Sequence, residues 1–345
     1  MTRQLRTLIV GAVLCLVLGT LAFAVHVPYI IEQPGPTYNT LGKDASTGAD
    51  IIQVSGHPVS STSGNLNLMT VSQQIDDTTV LGAIQGWLAH DRVVAPHDAI
   101  YPPGTSVDQV NQQDVEDFSV SQDSAVDAAA CELKYPQVFR VASTQPDSPN
   151  AAVLKAGDRF VSVAGSPVTT DDQLRAVLKK QTAGTKIAAV VTRGEQTTPV
   201  TLSLLAPVAS SGSSTPRLGI TVTDGCLFPF EVKIDLANIG GPSAGLMFSL
   251  GIIDKVSTQD LTHGRFIAGT GTIDPQGNVG EIGGIQLKMI AARRAGATLF
   301  LAPDSNCADV RGNIPSGLTV AKVSTLHSAI EVLNTVATGG TVAGC

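Results

Sequence analysis

The sequence predicts an α+β protein behind an N-terminal transmembrane helix. Three observations carry that expectation. An apolar run opens the chain; short strand patterns broken by Gly, Ser and Pro fill its first two-thirds; and a glycine-rich loop followed by an apolar helix introduces the last third. Of 345 residues, 43% are hydrophobic but only 4% aromatic, with 34 glycines, so the core is built from aliphatic and small side chains. A disordered chain is excluded. With 22 basic against 29 acidic residues the net charge is -7, which argues against a nucleic-acid partner, because phosphate binding is driven by Lys and Arg.

From Thr7 to Val27 no Asp, Glu, Lys or Arg interrupts the sequence, and at about 1.5 Å per residue this run would cross roughly 31 Å of hydrocarbon. Arg3 and Arg6 precede it and the next basic residue is Lys43, so the positive-inside bias leaves the N-terminus cytoplasmic and the body of the chain outside. Ala22-Phe23-Ala24 matches a signal-peptide cleavage pattern. The apolar run exceeds the roughly 7–15 residues of such peptides and continues past that site, so a retained anchor is expected over residues 1–30. Cys15 lies inside the run, while Cys131, Cys226, Cys307 and Cys345 lie beyond it without C-x-x-C spacing. Those four permit up to two disulfides in three connectivities. Cys307 with Cys345 is one candidate pair, and a free buried thiol at Cys307 is the other reading.

Residues 31–128 read as a β-rich extracytoplasmic region. Glu32-Gln33-Pro34-Gly35-Pro36 is a breaker cluster; Ile51–Val54 and Leu66–Val71 read as strands, and Leu81, Ile84 and Leu88 give Val80–Leu88 a helical spacing. His90-Asp91 and His97-Asp98 lie close together, but no H-E-x-x-H helix or cysteine partner accompanies them, and solvated or structural roles are expected rather than a metal site. Asp108–Asp127, acidic and free of Gly and Pro, reads as a solvated helix or linker.

Residues 129–205 alternate strands with one short helix. Val138–Val141, Arg159–Val163, Ile187–Thr192 and Pro199–Leu205 are strands, and Thr169 or Thr170 caps a helix with Leu174, Val177 and Leu178 on one face. Ser148-Pro149-Asn150, then Gly157-Asp158-Arg159-Phe160, then Val163-Ala164-Gly165 resemble the bacterial PDZ pattern. That resemblance implies a module that adds a peptide as an extra strand and captures its terminal carboxylate on backbone amides. The expected capture loop, Glu132-Leu133-Lys134-Tyr135-Pro136-Gln137, has no glycine and contains a proline, which departs from the pattern. Residues 206–217 (APVASSGSSTPR) form a linker.

Residues 218–345 carry the chemistry. Glu231–Leu236 reads as a strand, Ala237 to Gly245 as a glycine-rich loop, and Leu246–Ile253 as an apolar helix. Ser243 thus falls near a helix N-terminus, where it either caps the helix or sits where unpaired amides favour an oxyanion. Gly241-x-Ser243-x-Gly245 also satisfies G-x-S-x-G, with Asp304 and His327 following in α/β-hydrolase order. Six residues separate Leu236 from Ser243, however, whereas a nucleophile elbow follows its strand directly. Lys288 offers another base. On a helix starting near Gln286 it shares a face with Ala291, Ala292 and Ala295, so desolvation would lower its pKa, unless it is an ordinary snorkelling lysine. No phosphate-loop motif occurs anywhere in the sequence, so nucleotide hydrolysis has no support, and a serine–lysine pair implies neither nucleotide nor metal as a cofactor.

G-P-S-A-G at 241–245, A-G-T-G at 268–271 and G-x-V-G-x-I-G-G-I at 277–285, with Lys288 beyond, resemble the proteolytic domain of Lon-type (S16) serine proteases. Together with the anchor and the PDZ-like segment, the arrangement is similar to the membrane-anchored PDZ/S16 peptidases of Gram-positive and actinobacterial type. The resemblance implies Ser243 as nucleophile, Lys288 as general base, Thr270 as a hydroxyl orienting the lysine, and the Gly241, Pro242 and Ala244 stretch as support for the oxyanion. It also implies protein or peptide substrates and a homo-oligomer, with a hexamer as the form suggested; Lon itself has a fused ATPase that this sequence lacks, a departure from which cleavage without ATP is expected. The competing expectation is a membrane-tethered PDZ adaptor whose Lon-like domain only assembles.

Overall fold

The computed structural model describes residues 3–75, 78–145, 147–194, 196–207, 214–236 and 239–345. Half of the expected linker and the first two residues of the glycine-rich loop lie outside them. The chain divides into two compact units. The larger comprises Met1–Ala125, Val232–Asp274 and Asn278–Cys345, and the smaller Val126–Glu231 with Pro275–Gly277. The partition therefore differs from the expected one, in which residues 31–128 stood apart and a proteolytic domain began at 218.

Following the chain, the helix Arg3–Ala24 (α1) carries the apolar run, and its residues are almost all exposed. It is long and apolar enough to cross a membrane. Strands Tyr29–Asn39 (β1), Ile52–Ser55 (β2) and Asn65–Gln74 (β3) follow, then the helix Val80–Leu88 (α2), strand Val93–Pro96 (β4) and the short helix His97–Ile100 (α3). The breaker cluster at 32–36 does not end β1. The register against β3 shifts between Pro34 and Thr37, so the prolines fall at an irregularity where the ladder needs no donor from them. The helix Val107–Glu132 (α4) then carries the chain from the larger unit to the smaller. The solvated-helix reading of 108–127 holds for most of its length, although Phe118, Ser121 and Ala125 are buried.

The smaller unit contains Gln137–Thr144 (β5), Arg159–Val163 (β6), Ser166–Pro167 (β7), the helix Asp171–Leu178 (α5), Lys186–Arg193 (β8), Gln196–Ser203 (β9) and Ile220–Cys226 (β10). Its sheet runs β10-β5-β6-β8-β9, with β7 paired to β6, over a core that includes Phe139, Val141, Phe160, Val191 and Leu202. Thr170 caps α5 by accepting from the Gln173 amide. The Ser-Pro-Asn motif has a plain structural task. Ser148 Oγ and Asn150 Nδ2 both donate to the Leu218 carbonyl, at 2.9 and 2.8 Å, fixing the chain just before β10. This sheet is therefore completed by a strand from beyond the linker, and a disulfide between Cys131 and Cys226 ties that strand to the end of α4.

The expected capture loop at 132–137 does different work. The amides of Leu133, Lys134 and Tyr135 donate to the carbonyls of Ala129, Cys131 and Ala130. They close the last turn of α4, as helix C-termini require, so they are not free to bind a carboxylate.

Back in the larger unit come Glu231–Ile234 (β11), the helix Gly245–Val256 (α6), Phe266–Gly269 (β12), the two-residue strands Thr272–Ile273 (β13) and Val279–Gly280 (β14), and the helix Ile285–Ala295 (α7). Leu299–Pro303 (β15), the short helix Cys307–Val310 (α8), Thr319–Val323 (β16) and the helix Leu326–Ala337 (α9) complete it. Its main sheet has the order β16-β15-β12-β3-β1-β4, with β12 parallel to both β15 and β3. Half of this sheet comes from residues 29–96. A second disulfide joins Cys307 to Cys345.

Candidate active site

The site forms where β12 ends and two helices begin. Every residue of α6 is buried, as expected of a helix that is apolar all round. Ala244 is its N-cap, with no side-chain cap bond, so the capping role open to Ser243 is not the one it takes. Gly245 is required where α6 starts: a Cβ there would lie 2.7 Å from Ile273 Cγ2 and 3.0 Å from Ser121 Oγ. The preceding loop is held by α4, since Ser121 Oγ donates to the Pro242 carbonyl and the Gly241 amide donates to the Asp114 carbonyl, at 2.9 and 2.8 Å.

Helix α7 starts at Gly284, whose φ of 68° is the left-handed conformation that glycine adopts without strain. That turn places Lys288 in the first turn of α7, directed inward and 4% exposed. Its Nζ lies 2.8 Å from Ser243 Oγ and 3.2 Å from Thr270 Oγ1. Burial pulls the lysine down to about 8 from its ordinary 10.5. Among the described residues it forms no ion pair. Lys288 is thus desolvated among hydroxyls rather than snorkelling to solvent.

Thr270 follows β12 directly and is fully buried. Its single hydroxyl proton goes to the Ser243 carbonyl at 3.0 Å, so towards Lys288 its oxygen acts as an acceptor. The Gly271 amide donates to the same carbonyl at 2.9 Å, which fixes the serine backbone from a second side. A neutral Lys288 that gives an N–H to Thr270 keeps its lone pair for the Ser243 hydroxyl. The arrangement can therefore deprotonate Ser243.

Of the other residues singled out in the sequence, Asp304 pairs with Lys322 at 3.3 Å, and His327 lies exposed on α9 beside Glu331. Among the described residues lining the cleft at Ser243 there is no histidine. In the 90–98 stretch Asp91 pairs with Arg294, and among the described residues no group of three metal-ligating side chains comes together. Gly241 and Pro242 position the loop but offer no free donor, because the Gly241 amide is engaged by Asp114 and proline has none.

The cleft, of about 630 Å³, has walls that sequence reasoning missed: Glu32 and Tyr38 from β1, Met69–Gln73 from β3, and Asp114 from α4. No local signal marks them, since they reach the serine only through the pairing of β3 with β12 and the packing of α4.

Residues 237–337 match the model of the Lon protease (S16) C-terminal proteolytic domain. Over that stretch the chain is similar to a Lon-type proteolytic domain. It is 32% identical over 138 residues to Lon protease 2 of Herpetosiphon aurantiacus, covering 38% of this chain and 16% of that protein. It is 30% identical over 134 residues to Lon protease of Rickettsia typhi, covering 37% of this chain and 17% of that one. The chain thus matches less than a fifth of the length of these relatives. Among solved structures it is similar to the PDZ domain of an SdrC-like protein from Listeria monocytogenes (24% identity, TM-score 0.23, covering 25% of this chain and 86% of that one). A Listeria innocua counterpart gives 21% identity and a TM-score of 0.23, covering 25% of this chain and 92% of that one.

Proposed function

We propose that this protein is an extracytoplasmic, membrane-anchored serine endopeptidase that cuts unfolded or exposed protein segments without ATP, through a dyad of Ser243 and Lys288. The observation that carries the reading is the 2.8 Å approach of a buried, unpaired lysine amine to a serine hydroxyl at the start of α6. Neutral Lys288 takes the Ser243 proton as Oγ attacks the scissile carbonyl, then returns it to the leaving amine, and the acyl-enzyme is hydrolysed by a water that Lys288 deprotonates in turn. With Gly241 and Pro242 unable to donate, the amides of Ser243 and Ala244 are the oxyanion donors, placed at a helix N-terminus where the dipole favours negative charge.

The location is supported by the basic residues ahead of α1 and by two disulfides in the chain beyond it, which persist in oxidising compartments. For substrate selection by the PDZ-like unit we favour β10, the edge of its sheet. The groove beside α5, of about 420 Å³, is lined by Phe139, Asp171, Arg175 and β10 itself. The proteolytic units are taken to assemble as a homo-oligomer, which sedimentation of the solubilised chain would measure.

The test uses the full-length chain in lipid nanodiscs with an unfolded, casein-like substrate and no nucleotide. Wild type should release fragments, and Ser243→Ala and Lys288→Ala should not. Activity retained in Lys288→Ala would remove the dyad, and an inert wild type would favour the adaptor reading.

A further inference from the structure

Helix α2 wears its side chains inside out. Its nine residues, VLGAIQGWL, contain no charge, and the face it turns to the sheet is made of small residues, Ala83 and Gly86. A Cβ added to Gly86 would meet Val94 of β4 and Ile31 of β1, so the helix seats closely on those strands by its small face. The large side chains consequently point outward. Ile84, Trp87 and Leu88, at i, i+3 and i+4, are 42%, 59% and 75% exposed. Such a face is the opposite of what an amphipathic helix presents to water.

What covers that face is indicated by where α2 begins. The Val27 amide donates to the Thr78 carbonyl and the Val80 amide to the Val25 carbonyl, at 2.9 and 3.0 Å, and His26 and Thr79 form a bridge. The first turn of α2 is thereby fastened to the residues that follow the apolar helix α1. Phe23 and Val25, at that end of α1, are exposed as well and extend the patch. Trp87, the one tryptophan of the sequence, packs edge-on against Tyr29 at 5.5 Å. Aromatic pairs at the end of a membrane span mark the headgroup level.

We propose that α2 is an interfacial membrane helix that inserts Ile84, Trp87 and Leu88 into the headgroup–acyl boundary of a lipid bilayer, giving the larger unit a second membrane contact beside α1. The inference rests on reading α1 as a membrane anchor. Flat docking of α2 would restrict how the larger unit tumbles on its tether, which a single span does not do.

The single tryptophan makes the test direct. The full-length chain is reconstituted into phosphatidylcholine–phosphatidylglycerol vesicles, flotation reports anchoring, and Trp87 fluorescence is read with lipids brominated near the headgroup end of the acyl chains. The expected result is flotation with blue-shifted emission, quenched about twofold by the brominated lipid and protected from aqueous iodide. An Ile84→Glu/Leu88→Glu variant should still float and still cleave substrate, but lose the lipid quenching and gain iodide quenching. A chain that floats with red-shifted, iodide-accessible emission overturns the docking of α2 and leaves the anchor standing. One that does not float overturns both.

Discussion

Two lysines of the larger unit are buried to the same degree, each 4% exposed, yet only one is placed to do chemistry. Lys255, at the end of α6, donates to the Ile52 carbonyl at 2.9 Å. Burial lowers its pKa, while Asp50 and Asp254 act in the opposite direction. Lys288 has burial acting on it unopposed, and its nearest side-chain atom is a hydroxyl with a proton to give. A carbonyl has no such proton. Desolvation alone makes a lysine weakly basic; a base also needs an acid in contact and freedom from carboxylates that would hold it charged.

The largest expected effect breaks this comparison if it is wrong. Lys288→Met should lower kcat/KM by about 10²–10⁴-fold, the range of general-base catalysis, whereas Lys255→Met should leave turnover per folded molecule within about threefold. Equal losses in both, measured on protein shown to be folded by circular dichroism, would mean that burial and not partnership matters.

The pH profile sharpens the same contrast. If the proposed dyad operates, activity needs neutral Lys288, so kcat/KM should rise with pH through an inflection near 8, and Lys255→Met should keep that inflection. Thr270 accepts an N–H from Lys288 and so favours the ammonium. Thr270→Val should therefore move the inflection to lower pH and, because the amine loses its orientation, reduce the plateau roughly tenfold. A profile that does not move would reduce Thr270 to packing.

The neighbours on α6 supply a stability test. Asp254 is 1% exposed, with Oδ2 accepting from the Leu261 amide and Oδ1 without a hydrogen-bond partner. Burial raises it to about 6 from 3.8. The folded state then holds a proton more tightly than the unfolded one, so this group favours folding at low pH, and that contribution is lost as pH rises from about 4 through 6. Asp254→Asn should stabilise the protein at pH 7 by up to about 3 kcal/mol and have little effect below pH 4 in denaturant titrations. Stabilisation that is the same at both pH values would assign the gain to packing instead.

How much of this was legible beforehand follows from the range of the interactions. Ser243, Thr270 and Lys288 stand in short motifs whose glycines are needed locally: Gly245 for close packing and Gly284 for its left-handed turn. Strands such as β6 and helices such as α2 and α5 were legible because alternation, spacing and a capping threonine act within a few residues. The sheet partnership of β3 with β12 was not, since it links Asn65–Leu68 with Phe266–Gly269 across the whole smaller unit in sequence. For the same reason the pairing of β10 with β5 across the linker was not legible, and Pro34 and Pro36 read as breakers although β1 runs through them with a register shift. The candidate site residues stand in local motifs and could be singled out from them; the cleft walls could not.

Those walls give the smallest effect and the last contrast, between the dyad and its surroundings. Among the described residues Lys288 is the one basic side chain lining the cleft, against Glu32, Asp114 and Glu281. Gln73 Nε2 donates to Glu32 at 2.8 Å, which holds that carboxylate in place, while burial and then Asp117 raise the pKa of Asp114. Acidic side chains thus outnumber basic ones in this lining, and a cationic substrate side chain gains from that field while an anionic one loses. Peptides with Lys or Arg near the scissile bond should be cleaved about three- to tenfold faster than the same peptides with Glu at that position, at low salt. The ratio should shrink as ionic strength rises, because the Debye length falls to about 10 Å at 0.1 M. Glu32→Gln should narrow it without moving the inflection near pH 8 by more than the loss of one screened charge allows. A preference that ignores both salt and Glu32 would place selection in shape rather than charge, and would leave the dyad untouched.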